Sequence, residues 1–317
     1  ASGDLFGYWQ FYPTGEDPWG KVTVWGIAEV LVSHAEGIAV GERLYGFFPM
    51  ASHVVMRPGE RSERGFTDAM PHRSELPGLY NYYARTQSEP AQLQALEDQR
   101  CIFFPLFMTG YVIADLLLDN DWFGVEQILI GSASSKTGFS TAAFIRAAGF
   151  QGAIAGLTSD QNVAFSEALG CYDRVVSYSE VGSVANEPSA YIDIAGDVEV
   201  RSRLHHSLQN NAAHTLLVGA THWDQFGQSV DGEPLPGSEP QVFFAPAQIE
   251  KRDGEWGRGV MMGKAYAASI ELVTQLAPTL LMESYTGAEA CDAIWQSLLR
   301  NQVSGQRGVM VSLQAGT

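Results

Sequence analysis

Apolar and polar positions change rhythm about a third of the way along the chain. Up to residue 60 they favour strands. V-T-V-W-G-I-A-E-V-L-V-S (22–33) is dense in β-branched residues, and G-E-R-L-Y-G-F-F-P (41–49) reads as a turn followed by a strand. Residues 57–100 carry more charge and proline and predict loops with one helix near 89–99. P-L-F-M-T-G-Y-V-I-A-D-L-L-L (105–118) has the apolar spacing of a helix.

Strand and helix then alternate. V-E-Q-I-L-I-G (125–131) and G-A-I-A-G-L (152–157) predict strands, and T-G-F-S-T-A-A-F-I-R-A-A-G (137–149) and Q-N-V-A-F-S-E-A-L-G (161–170) predict helices closed by glycine. Further strands are expected at 174–178, 191–196 and 215–220, with a helix at 199–211 between the last two. A Gly/Pro/Ser-rich loop at 224–240 precedes a strand at 242–246, long helices at 260–276 and 287–300, and a final strand at 307–313. Short apolar strands without polar alternation, separated by helices, imply an α/β fold whose parallel sheet is covered on both faces. The expected division is a β-rich domain over 1–106, to which 278–317 returns, and an α/β domain over 107–277.

Composition narrows the function classes. The chain has 317 residues, enough for two domains. Its 36 acidic and 19 basic residues leave a net charge of -17, and only four are lysines. So acidic a chain repels phosphate backbones and anionic membranes unless it carries a basic patch, and the arginines are scattered. Cys101, Cys171 and Cys291 form no C-x-x-C and suggest a reducing compartment. M-T-G-Y-V-I-A-D-L-L-L is interrupted by Asp115 and too short for a bilayer, and the first residues lack the plan of a signal peptide. The expectation is a cytoplasmic protein without nucleic-acid or membrane partners.

The chemistry concentrates at I-L-I-G-S-A-S-S-K-T-G (128–138). A P-loop needs G-x-x-x-x-G-K-[ST]; here Gly131 and Lys136-Thr137 are spaced for it, but Ser135 stands where the second glycine belongs. Asp193 is the strand-end acid that a nucleoside triphosphatase would want for magnesium. A dinucleotide loop needs G-x-G-x-x-G between strand and helix, and the matching frame is Ala133-Ser134-Ser135-Lys136-Thr137-Gly138. Only its third glycine survives, but the strand before, the helix after and a second strand ending about 24 residues further on all fit. That second strand ends on Thr158 and Ser159, with Asp160 just beyond. Hydroxyls without a carboxylate leave room for a 2′-phosphate, which favours NADP(H), and Lys136 is a charge partner for a phosphate group. Ser134, Ser135 and Thr137 equally suit simple helix capping.

With these stretches in place, the chain resembles a medium-chain dehydrogenase/reductase of the zinc-free quinone-oxidoreductase branch. W-G-K-V-T-V-W-G-I-A-E-V (19–30), G-E-R-L-Y-G-F-F-P-M (41–50), S-A-S-S-K-T-G (132–138), G-L-T-S (156–159) and F-F-A-P (243–246) resemble its DUF2855 subfamily. The resemblance implies a doubly wound Rossmann domain beside a GroES-like catalytic domain, a small-molecule substrate and a homodimer. It places Tyr178 at the NADPH ribose phosphate, the Gly196 backbone near the nicotinamide ribose, and Tyr8 and His222 in the substrate cleft. The chain departs from the superfamily in three ways. The zinc signature is absent, so no metal is expected. I-L-I-G-S-A-S-S-K-T-G stands where quinone reductases have V-L-V-x-G-A-S-G-G-V-G, so Ser135 and Lys136 replace the paired glycines of that loop. The amino end is shorter than the family's, which leads us to expect part of the catalytic domain outside this sequence.

The implied chemistry is hydride transfer to a conjugated carbonyl, with proximity supplying much of the rate. Tyr45, the Y-N-Y-Y cluster at 80–83, His53 and His72-Arg73 are further candidates to polarise a carbonyl, against the plain alternative of packing or solvation. A non-catalytic relative that keeps the fold as a nucleotide sensor or assembly subunit is the second reading.

Overall fold

The structure is a computed structural model and describes residues 7–219 and 234–313. The chain divides into two compact units, Ala1–Pro105 with Met282–Thr317, and Leu106–Leu281.

The first unit is built on a five-stranded antiparallel sheet of β1 (Thr23–Glu29), β2 (Arg43–Pro49), β3 (Pro58–Ser62), β4 (Gly65–Asp68) and β5 (Tyr82–Arg85), in the order β1-β2-β5-β4-β3. Strands β1 and β2 pair along their whole length, from Thr23 opposite Pro49 to Glu29 opposite Arg43. Three of these strands lie where the sequence predicts loops. β3 reads P-G-E-R-S and is largely exposed, so it shows no apolar alternation; β4 and β5 are four residues each. Short helix α1 (Ala91–Gln94) and long helix α2 (Glu97–Asp119) follow. The unit is completed by the two-stranded sheet of β12 (Leu281–Thr286) and β13 (Arg307–Ser312), and β12 falls where the sequence predicts no strand.

Helix α2 corrects the expectation that this stretch is too short for a bilayer. It begins eight residues before the expected 105 and runs for 23 residues, long and apolar enough to cross a membrane by length and composition. Its Phe103, Phe104, Phe107, Val112, Ile113 and Leu117 are buried, as expected of a core helix.

The second unit holds a six-stranded parallel sheet. Its strands are β6 (Gln127–Gly131), β7 (Ala153–Thr158), β8 (Arg174–Ser177), β9 (Ser189–Asp193), β10 (Ala212–Leu217) and β11 (Gln241–Val242). The order β11-β10-β9-β6-β7-β8 reverses direction between β6 and β9. This is the doubly wound order, which opens a crevice beyond the carboxyl ends of the two central strands. The intervening helices are α3 (Lys136–Ala147), α4 (Val163–Ala168) and α5 (Val198–Leu208). The core beneath the sheet includes Leu129, Leu157, Val176, Tyr191 and Leu204. The strand expected at 242–246 is confined to β11: Pro246 sits in the first turn of α6 (Ala245–Trp256), where its fixed φ suits a helix start. Helices α7 (Val260–Leu276) and α8 (Ala288–Leu299) follow.

The link from α2 to β6 is a left-handed turn. Asp121, Trp122 and Phe123 have φ of 50°, 55° and 53°, and Gly124 follows at 66°. L-residues pay roughly 1–2 kcal/mol each for this conformation. Ring packing offsets it: the Trp122 ring lies tilted 5.1 Å from that of Phe150, and Phe123 stacks on His214 at 3.7 Å.

Candidate functional site: a nucleotide-type loop at the strand switch

The loop from Gly131 to Lys136 leaves the end of β6, beside the point where strand order reverses. Side chains from the end of β7 and from the segments flanking β8 pin it. Ser132 is the residue that turns the chain, at φ 52°, in a region where glycine is at ease. Its backbone N–H donates to the Tyr178 hydroxyl at 2.8 Å. Ala133 is fully buried; its N–H donates to the Leu157 carbonyl at 2.9 Å and its own carbonyl accepts from the Tyr172 hydroxyl at 2.9 Å. Thr158 Oγ1 donates to Ser134 Oγ at 3.3 Å.

Ser135 is the N-cap of α3, extended at φ -77° and ψ 151°, and its Oγ accepts the Gly138 amide at 3.0 Å. The capping alternative therefore holds for Ser135, and the positive φ that a second P-loop glycine would supply is not used there. Gly138 meets the requirement of the third fingerprint glycine. A Cβ added to it would lie 2.5 Å from the Ser132 carbonyl oxygen, so only glycine lets the helix pack this closely on the loop. Gly131 and Gly156 are under similar pressure, since an added Cβ would meet the Tyr191 hydroxyl at 2.8 Å and the Ala133 Cβ at 2.7 Å.

Lys136 is the first residue of α3 and half-buried, and burial lowers its pKa to about 8. Thr137 is buried, and its carbonyl accepts the Thr141 hydroxyl at 2.7 Å and the Ser140 hydroxyl at 3.1 Å. At the end of β7, Thr158 is buried while Ser159 accepts the Asn162 side-chain amide at 3.0 Å. Asp160 turns towards β8, where its carboxylate accepts the hydroxyls of Ser177 and Ser179. Burial raises the pKa of Tyr178 in spite of its bond to Ser132, so the phenol stays protonated. Because the Tyr178 oxygen accepts the Ser132 amide, its own proton remains to be donated.

On the other side of the switch, Gly196 adopts φ 70° and its N–H donates to Asp193 Oδ1 at 2.8 Å. Asp193 is wholly buried and paired with Arg201 at 2.6 Å. Burial raises its pKa although Arg201 opposes the shift. This carboxylate anchors the Gly196 turn and α5 instead of facing a magnesium site, which removes the P-loop alternative.

The structure thus brings Ser134, Ser135, Lys136, Thr137, Gly138, Thr158 and Tyr178 to one loop region, with Ser159 at the adjoining strand end and Gly196 across the crevice. Sequence reasoning misses Ser132 and Tyr172. Ser132 aligns with the first glycine of the quinone-reductase loop V-L-V-x-G-A-S-G-G-V-G, and that alignment is the available signal; Tyr172 carries none.

Tyr8 belongs to the first unit, where its hydroxyl lies 3.2 Å from that of Tyr80 and its ring packs on Phe47 and Tyr80. Tyr45 stacks on Trp25 and lies under the Arg100 guanidinium, which is a packing role. His222 lies outside the described residues. His205 is buried, its Nδ1 donating to the Pro236 carbonyl at 2.7 Å, while the neighbouring His206 is exposed. Among the described residues no three His, Cys, Asp or Glu side chains converge as a metal site.

Comparison with known proteins agrees on the fold. The yhfP protein of Bacillus subtilis, solved with NAD bound, superposes with a TM-score of 0.52 at 15% identity, over 90% of this chain and 80% of that one. A quinone oxidoreductase from Coxiella burnetii gives 0.51 at 14% identity, over 94% and 81%. At these identities the likeness is one of fold, a Rossmann unit and a GroES-like one. No curated protein matches the chain significantly. A family model described as "Protein of unknown function (DUF2855)" matches residues 1–304, and the chain belongs to that family.

Proposed function

We propose that the protein is an NADPH-dependent, zinc-independent reductase that delivers hydride to a conjugated carbonyl: an enone, a quinone or an acyl thioester. The observation that carries this reading is the loop at the strand switch. Gly138 allows close helix approach, the amino end of α3 supplies a positive dipole, and Lys136 adds the only lysine in the loop. The hydroxyls of Ser134, Ser135 and Tyr178 suit phosphate and ribose oxygens. At the end of β7 no carboxylate occupies positions 158 or 159, and Asp160 is engaged with Ser177 and Ser179, which favours NADPH over NADH.

The cofactor, when bound, supplies the hydride. The chain's own residues bind and orient it. Lys136 balances a phosphate, Tyr178 donates its hydroxyl proton, and the Gly196 turn, held by Asp193, shapes the far wall. Tyr8 and His222 remain the candidates to donate a proton to the carbonyl oxygen. The working assembly in this reading is a homodimer, supported by the exposed edge strand β11, where Val242 is 62% accessible.

Fluorescence titration with NADPH and NADH tests the reading. Lys136→Ala is expected to weaken NADPH by about tenfold or more, the worth of one charge-assisted contact, with NADH changed far less. Equal loss for both nucleotides refutes the 2′-phosphate role, and no NADPH binding at millimolar concentration refutes the reading. Binding without turnover across a panel of enones and quinones would assign the chain to a sensor or assembly role.

A further inference from the structure

The first unit contains a cavity of about 440 Å³, whose charge runs against that of the chain. Among the described residues its lining includes Lys21, Arg73, His53 and His72 and no acidic side chain. In a protein whose 36 Asp and Glu outnumber its 19 Lys and Arg, a described lining with Lys21 and Arg73 and no carboxylate runs against the average. Tyr12, Val54 and Met70 supply apolar surface between them. We propose that this cavity binds a small organic anion, an apolar body carrying one carboxylate.

The floor is rigid. Arg73 is 2% exposed, and its guanidinium lies 4.2 Å from the centre of the Tyr12 ring. It donates to the Phe11 carbonyl at 3.1 Å and to the Tyr83 hydroxyl at 2.8 Å, and it pairs with Asp68 at 3.3 Å. Tyr12 closes the network, donating to the Phe47 carbonyl at 2.8 Å. Arg73 therefore holds the shape of the floor, and Asp68 offsets its charge. The remaining positive potential comes from the rim.

There Lys21 is exposed and donates to the Pro13 carbonyl at 3.4 Å, a long and neutral contact, and His53 is exposed beside Ser52 at 3.0 Å. His72 Nε2 lies 3.1 Å from the Phe11 carbonyl. A carbonyl only accepts, so Nε2 carries the proton of that contact. A volume in the range of small-molecule sites, apolar walls and a few convergent polar groups meet the general description of a ligand pocket. The Lys21 ammonium at the rim selects the sign of the ligand.

The site stands on residues of the first unit alone and does not depend on the cofactor reading, so it is tested without nucleotide. Calorimetric titration with benzoate, benzamide and benzylamine compares an anion, a neutral isostere and a cation of one size. Benzoate is expected to bind in the millimolar range or tighter and about tenfold more strongly than either of the others. Lys21→Met with His72→Gln, both rim positions, is expected to abolish that preference while circular dichroism stays unchanged. Lys21→Met alone, which leaves the Phe11 contact intact, is expected to reduce it severalfold. The proposal is overturned if benzamide binds as tightly as benzoate, if the double variant retains the preference, or if no benzoate heat is seen up to about 10 mM.

Discussion

At the residue scale the most informative group is Lys136. Burial at the start of α3 lowers its pKa to about 8, so its charged form is the one lost as pH rises through that value. A bound phosphate favours the charged form. NADPH affinity is therefore expected to fall between about pH 7 and 9, as the ammonium loses its proton, with NADH affinity nearly flat. The profile of Lys136→Ala should lose this pH dependence. A pH profile shared by both nucleotides would show that another group titrates. Ser132 makes the complementary point. Its left-handed backbone is invisible to composition, since serine is read as a cap or a turn residue, and only its register against the quinone-reductase loop hints at it.

At the scale of elements, what is legible in the sequence follows apolar continuity. The parallel strands β6, β7, β9 and β10 are runs of buried residues, and each lies within a few positions of its expected range. Strands β3, β4 and β5 escape because they are short or face solvent on an edge, where pairing partners and not side-chain rhythm define the strand. The loop's position at the strand switch is legible from the order strand–loop–helix, whereas its pins, Thr158 at the end of β7 and Tyr172 and Tyr178 on either side of β8, require the fold. The left-handed turn before β6 offers a test of how local strain is offset. Asp121 is exposed and has no ring to stack, so Asp121→Gly is expected to change stability by less than about 1 kcal/mol, gaining conformational ease and losing unfolded-state order. Trp122→Gly relieves the same backbone but removes the ring contact with Phe150, and is expected to cost about 2 kcal/mol or more in urea unfolding. A stabilised Trp122→Gly would show that strain outweighs packing there.

For the whole molecule the governing electrostatic quantity is a net charge of -17. Ion pairs such as Arg252 with Asp115 and Asp119 in the second unit, or Arg307 with Glu283 in the first, offset it locally. Exposed pairs are worth roughly 0–1 kcal/mol each, and buried ones are little affected by salt. Repulsion among the surplus carboxylates therefore sets the salt response. Raising sodium chloride from about 10 mM to about 500 mM shortens the screening length from ~30 Å to below ~8 Å, and the thermal midpoint is expected to rise by a few degrees. A falling midpoint would mean that the ion pairs outweigh the repulsion.

The bond from the Ser132 amide to the Tyr178 hydroxyl has an evolutionary corollary. In a loop that relies on glycine, the turn is set by backbone freedom and each position can drift alone. Here a strained serine is held by a phenol contributed from beyond β8, so the two positions are inherited as a pair. Among family members, those with glycine at the position of Ser132 are expected to tolerate many residues at that of Tyr178, and those with serine are expected to retain tyrosine.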